Sequence, residues 1–135
     1  MKKNILFAIV LIFLTACSSA GSDITGDWKL ISYGNANNPT PALPNIDTNI
    51  NFDSKGAMSG NVGCNGFGGT YELKDDTVTF SAIMSTMMFC DGTTLQEQGV
   101  LSVFSDGVKL QIQLNADTLT ITSADGKSVV NLTRK

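Results

Sequence analysis

The sequence predicts a mostly β domain of seven or eight short antiparallel strands around one α-helix. After Thr25 apolar residues alternate in period two through most segments. Gly-, Asn- and Asp-bearing turns interrupt them at short intervals. Only one stretch, about residues 94–105, carries helical spacing. Eight strands is about the number at which a sheet can close on itself with side chains filling the interior. The helix is then expected to cover one side or plug one end.

The elements follow in order. Gly26 to Tyr33 begins the strands, with Trp28, Leu30 and Ser32 on one face. Residues 34–45 contain Pro39, Pro41 and Pro44, a density that excludes a regular element and predicts a long loop. Ile46 to Phe52 is a second strand with Ile46, Thr48, Ile50 and Phe52 in register. Asp53-Ser54-Lys55-Gly56 forms a turn, and Ala57 to Val62 returns as the next arm. Gly63-Cys64-Asn65-Gly66-Phe67-Gly68-Gly69 is too rich in glycine for ordinary strand and predicts a bulged corner or a close backbone approach. Thr70–Lys74 and Thr77–Ser81 form a hairpin about Asp75-Asp76. Thr94-Leu95-Gln96-Glu97 has capping-box spacing. Leu95, Val100, Leu101, Val103 and Phe104 supply the apolar stripe, weakened by Gly99 at about 1 kcal/mol relative to alanine. Asp106-Gly107 ends the helix. Strands through Val108–Leu114, Leu119–Ile121 and Val130–Leu132 close the chain, separated by turns at 115–117 and 124–127.

The N-terminus carries an address. Lys2 and Lys3 precede an apolar run from Ile5 to Leu14, and Leu14-Thr15-Ala16-Cys17 closes it. The run is too short for a membrane span, which needs about 20 apolar residues. A charged start, an apolar middle and a small-residue cleavage site make a secretory leader. A cysteine directly after that site resembles a bacterial lipoprotein signal. The resemblance implies cleavage after residue 16 and acylation of Cys17 with two or three chains, enough for durable attachment. Residues 17–23 are then the lipidated cysteine and a short flexible tether, and 24–135 the domain. The expected location is the cell envelope, anchored in the outer membrane and facing the periplasm.

Cleavage leaves 119 of the 135 residues, one domain with one core. Lys2 and Lys3 leave with the leader, so 7 basic residues face 12 acids, a formal charge near −5. Such a body does not bind nucleic acid or anionic headgroups through charge. Cys64 and Cys90 remain in an oxidising compartment and are expected to pair.

Gly60-Asn61-Val62-Gly63-Cys64-Asn65, with Phe67 and Tyr71 downstream, stands beside Ser85-Thr86-Met87-Met88-Phe89-Cys90. With Trp28-x-Leu30, Glu97 in the helix, and Leu110 and Leu119 in the closing strands, this pairing resembles the META domain family, the family of the bacterial heat-shock lipoprotein HslJ. The motif residues are Gly63, Cys64, Asn65, Thr86, Met87, Met88 and Cys90; the family often has alanine where this chain has Phe89. The resemblance covers about residues 24–134. It implies an incomplete or pseudo-barrel, or strongly curved antiparallel sheet, with one helix, similar in outline to lipid-binding pilotins. It implies a role in envelope stress or antibiotic tolerance, and no catalytic set.

The residues themselves point the same way. The chain has no histidine, the usual general base and commonest metal ligand. Neither Cys64 nor Cys90 has an evident activating base. Asp75-Asp76 reads as a solvated turn. Met84, Met87, Met88, Cys64 and Cys90 form a soft set suited to copper(I), but methionine filling gaps in the core is the preferred reading, and pairing of the cysteines would consume the thiolates. The glycine run is not a phosphate loop, since no Gly-Lys-Ser/Thr follows. No cofactor or metal is expected. The domain is therefore read as a monomeric, non-enzymatic protein that binds a protein or lipid partner at the membrane. The alternatives are an inhibitor of a basic hydrolase such as lysozyme and a pilotin-like lipid binder. The second requires an apolar cavity open to solvent. The first is disfavoured because loop 34–45 offers no charge to insert into an acidic active site.

Overall fold

The computed structural model describes residues 22–135. The leader, Cys17 and the tether up to residue 21 lie outside the described residues. Nine strands follow: β1 Gly26–Asn35, β2 Thr40–Pro41, β3 Asn49–Phe52, β4 Ala57–Asn61, β5 Gly66–Lys74, β6 Thr77–Ser85, β7 Lys109–Asn115, β8 Thr118–Thr122 and β9 Ser128–Arg134. A single helix, α1 Thr94–Val103, lies between β6 and β7. Every strand pairing is antiparallel. The order runs β2-β1-β3-β4-β5-β6-β7-β8-β9, and β1 also pairs with β9. That last pairing closes eight strands into a barrel and leaves β2 as a short addition on β1. The closure removes the exposed sheet edges that an open sheet would carry.

The period-two residues face inward as their spacing requires. Trp28, Leu30, Ile50, Phe52, Met58, Phe67, Val78, Phe80, Leu110, Ile112, Leu119, Ile121, Val130 and Leu132 are all buried. They fill the interior, so the version of the sequence reading that seats a lipid inside the barrel is set aside. Phe52, Phe80 and Phe104 stack in series, with ring centroids 6.2 and 4.7 Å apart, so the residue ending α1 plugs the barrel. Such pairs add about 0.5–1.5 kcal/mol beyond area burial. Trp28 donates Nε1–H to the Ile24 carbonyl at 2.8 Å, and the Arg134 guanidinium covers its ring at 4.5 Å.

Several local expectations change. β3 starts at Asn49, three residues later than expected, although Thr48 stays buried and accepts the Leu30 N–H at 2.9 Å. The proline-rich segment is not loop throughout: β1 continues to Asn35, and Thr40-Pro41 pairs with Ser32 and Tyr33. Pro41 is tolerated because it lies on an outer strand. The glycine run is likewise mostly strand. Gly66 to Gly69 belong to β5, and the predicted bulge falls where Gly68 and Thr70 face Met84 and Ser81, with Ala82 at φ 54°. Gly99, costly in a helix, sits where an added Cβ would lie 2.5 Å from the Tyr33 ring. Helix-to-β1 approach, not helix propensity, selects it.

The two barrel ends differ. Gly26 pairs with Phe52, Thr70 with Ala57, and Lys74 with Thr77. Residues 22–25, the turns after β3, β5 and β7, and the C-terminus therefore share one end. The strand ends at Asn35, Asn61, Gly66 and Ser85 point to the other, where α1 also lies.

Candidate functional site

The far end is built on the corner between β4 and β5. Asn61 closes the turn, its Oδ1 accepting Gly63 N–H at 2.9 Å and its Nδ2 donating to the Cys64 carbonyl at 3.1 Å. This Asx-type turn aims the Cys64 and Asn65 amides at α1. Glu97 receives them. Oε1 accepts the Cys64 N–H and, at 2.9 Å, the Asn65 N–H, while Oε2 accepts Asn65 Nδ2 at 2.8 Å. Thr93 Oγ1 lies 3.4 Å from Oε1. Burial pushes the Glu97 pKa up, but the donors from Asn65, Cys64 and Thr93 together outweigh it and hold the pKa below the usual carboxylate value.

The capping box is thus not formed. The N-cap is Thr93, one residue earlier, and it makes no side-chain cap bond. Thr94 Oγ1 donates to the Cys90 carbonyl at 3.2 Å instead. Glu97 is released from the helix terminus because its carboxylate has three amide donors across the corner. Gly63 makes this possible: an added Cβ would stand 2.5 Å from Glu97 Oε1 and 2.9 Å from Thr93 Cβ.

Asn65 is the hub. Its Oδ1 accepts Thr86 Oγ1–H at 2.9 Å and Met88 N–H at 2.8 Å. Its Nδ2 donates to the Met88 carbonyl at 3.0 Å as well as to Glu97. The side-chain amide thereby holds both backbone groups of Met88, as a neighbouring strand would. Thr86 N–H bonds the Gly66 carbonyl at 2.9 Å, and a disulfide joins Cys64 to Cys90 with Cα atoms 6.2 Å apart. Gln96, fully buried beside Glu97, donates to the Val62 carbonyl and accepts the Leu43 N–H at 2.7 Å. Among the described residues no buried side-chain polar atom lacks a partner.

Segment 85–95 is therefore held by its backbone and turns its large side chains outward. Met87 is 94% exposed, Phe89 92%, Leu95 79%, Met84 74% and Met88 58%. The methionines do not fill core gaps, and Leu95 does not join the buried stripe of α1. The reason is geometric: Asn65 and Cys90 anchor the inner side of the segment, leaving only the solvent side for Met87, Met88 and Phe89, while Met84 stands exposed at the end of β6 and Leu95 in the first turn of α1. A depression of about 290 Å³ lies beside them, lined by the buried Asn65 and Glu97, by Met87, Met88, Phe89 and Leu101, and by the polar Ser85, Thr86, Thr94 and Gln98.

All seven motif residues predicted from the sequence meet here. The sequence reading missed what Glu97 and Gln96 do. Gln96, Val100 and Val103 share a helix face, so a polar pair at the head of the buried stripe was the available signal. Among the described residues no group of three or more His, Cys, Asp or Glu could hold a metal ion. The copper(I) set has lost its thiolates to the disulfide.

A family model for the META domain matches residues 22–135. The chain belongs to the META domain family. Several solved structures share the fold. A protein from Burkholderia xenovorans, solved by NMR, is 23% identical, with 81% of each chain covered and a TM-score of 0.64. A second NMR structure is 24% identical over 78% of this chain and 86% of its own, with a TM-score of 0.58. A DUF4847 family protein from Bacteroides vulgatus is 16% identical over 82% of this chain and 93% of its own, also at 0.58. No curated protein matches the chain. In this chain the motif residues form the clamp that displays segment 85–95.

Proposed function

We propose that this META-domain protein is a lipid-anchored envelope protein that acts by binding rather than by catalysis, in envelope stress or antibiotic tolerance. The observation that carries the reading is the outward apolar segment on a polar clamp. The groups best suited to chemistry are spent on structure: Cys64 and Cys90 on each other, Glu97 on three amide donors. What the far end offers to solvent is Met84, Met87, Met88, Phe89 and Leu95. Exposed apolar groups gathered on one surface mark interaction sites. Anchoring rests on the leader and Cys17, which place a weak binder at high local concentration on the membrane.

The test is the intact mass of the full-length protein purified from membranes, followed by complementation. The reading expects the mass of a chain starting at a diacylglyceryl- and acyl-modified Cys17, and expects Cys17→Ser to fold normally yet fail to complement an envelope-stress phenotype. An unmodified chain, or full complementation by Cys17→Ser, contradicts it.

A further inference from the structure

We infer that the Met84/Met87/Met88/Phe89/Leu95 surface docks a basic, apolar peptide segment of another envelope protein, with a lysine or arginine seated at the depression over Glu97. The inference deepens the binding reading above and rests on it.

Three observations choose this occupant. The first is charge. From Thr77 to Val108 the chain carries Asp91, Glu97 and Asp106, and not one lysine or arginine. The exposed apolar segment lies wholly inside that stretch, so its border attracts cations. The second is Glu97. Its carboxylate is held charged by neutral donors, and among the described residues no cation pairs with it. A charge kept in a low-dielectric recess without a counter-ion projects its field through the opening. The buried Asn65 and Glu97 line that depression together with apolar side chains and the polar Ser85, Thr86, Thr94 and Gln98, a mixed lining that fits the aliphatic stem and charged, hydrogen-bonding head of lysine or arginine.

The third is placement. β1 has ten residues, about 3.3 Å each, so the far end lies about 30 Å along the strand from where the chain enters the barrel. Residues 18–22 reach at most about 17 Å. The surface is thus carried on the end opposite the tether. Its carboxylates repel anionic headgroups, which disfavours the membrane as occupant. A second copy would set Asp91 and Glu97 against themselves, which disfavours self-association.

The test uses full-length protein, methyl-labelled at methionine, in zwitterionic nanodiscs. The probe is a synthetic peptide of alternating Leu and Lys; the controls replace Lys by Glu or by Gln. The Met84, Met87 and Met88 methyl signals are expected to shift with the Lys peptide, while Met58, only 2% exposed, stays fixed. Binding is expected to be at least about tenfold tighter than for the Glu peptide, and to weaken as salt shortens the screening length. Phe89→Ser and Asp91→Lys should each weaken it about three- to tenfold with the thermal midpoint unchanged, since both sites are exposed. Equal binding of the Glu peptide, or no shift with any peptide, overturns the inference. So do methyl shifts caused by anionic lipid in the disc, which assign the surface to the membrane, or by protein concentration alone, which assign it to a second copy. The intact mass of the same sample reports separately whether Cys17 is acylated, so a failure of anchoring is distinguishable from a failure of docking.

Discussion

Replacing Glu97 by glutamine removes one charge and almost no volume, yet it should loosen the far end of the barrel. The substituted side chain keeps one carbonyl oxygen, which can still accept the Cys64 and Asn65 amides. The other oxygen becomes an NH2 group facing Asn65 Nδ2, now 2.8 Å from Oε2, so two donors oppose each other. Asn65 cannot turn over without cost, because its Oδ1 already holds Thr86 Oγ1–H and Met88 N–H. One charge-assisted bond is lost, worth about 1.5–3 kcal/mol, and the two that remain become neutral and weaker. The expected loss is about 2–4 kcal/mol, a large part of a domain stability of about 5–15 kcal/mol. Urea unfolding under non-reducing conditions measures it. The pH dependence gives the sign. A carboxylate whose folded pKa is depressed contributes stability that is complete above its unfolded pKa, about 4.3, and is lost as pH falls through the folded value. The parent should therefore lose more stability than Glu97→Gln as pH drops below about 4.3, and the two curves should converge. A Glu97→Gln protein within about 0.5 kcal/mol of the parent at neutral pH, or curves that stay parallel into acid, would refute the assignment of Glu97 as the organiser.

Other perturbations separate the parts. Gly63→Ala drives a methyl into Glu97 and Thr93 and should cost about 1–3 kcal/mol. Gly66→Ala, whose added Cβ meets nothing nearer than 3.9 Å, should be neutral or stabilise by up to about 1 kcal/mol in the same unfolding assay. Replacing Cys64 and Cys90 together by serine opens a loop with a sequence separation of 26 and should cost about 3.5 kcal/mol; labelling with a thiol reagent without reduction should find neither cysteine in the parent. Met87→Ser with Phe89→Ser should leave the thermal midpoint within about 2 °C of the parent, since both side chains are more than nine-tenths exposed. Phe80→Ala should instead cost about 3–5 kcal/mol, because the Phe52–Phe80–Phe104 series would be broken at its centre.

Strand pairing was legible because one face of each strand is buried, which forces alternation into the sequence. Val78-Thr79-Phe80 and Leu110-Gln111-Ile112 are typical, and both alternations hold. Closure was legible only through the number of strands and the family resemblance; which strands close the barrel was not, because pairing of Trp28 to Asn35 with Ser128 to Arg134 joins residues about a hundred positions apart and leaves no local mark. The glycine run was legible as a bulge or close approach but not as part of a strand, because the neighbours that demand its glycines, Met58, Ser81 and Ile83, are remote in sequence. At the candidate site the motif residues could be read from the sequence, but their bonding could not. The spacing of Thr94 and Glu97 fits a local capping box, and it does not form because Glu97 is taken by amides 32 and 33 residues away. Residue type alone assigns the methionines to the core. Their exposure follows from Asn65 holding Met88 by its backbone, a tertiary contact that composition does not report.

Amide hydrogen exchange at Met88 tests the clamp most directly. Met88 is more than half exposed and lies outside any helix or strand, so its side-chain environment gives its N–H no protection. If Asn65 Oδ1 holds that N–H at 2.8 Å, exchange should be slowed by roughly a hundredfold or more relative to an unstructured chain, and Glu97→Gln should return much of that loss. A Met88 amide that exchanges at the unstructured rate in the oxidised parent would contradict the account, because the apolar surface would then have no platform beneath it.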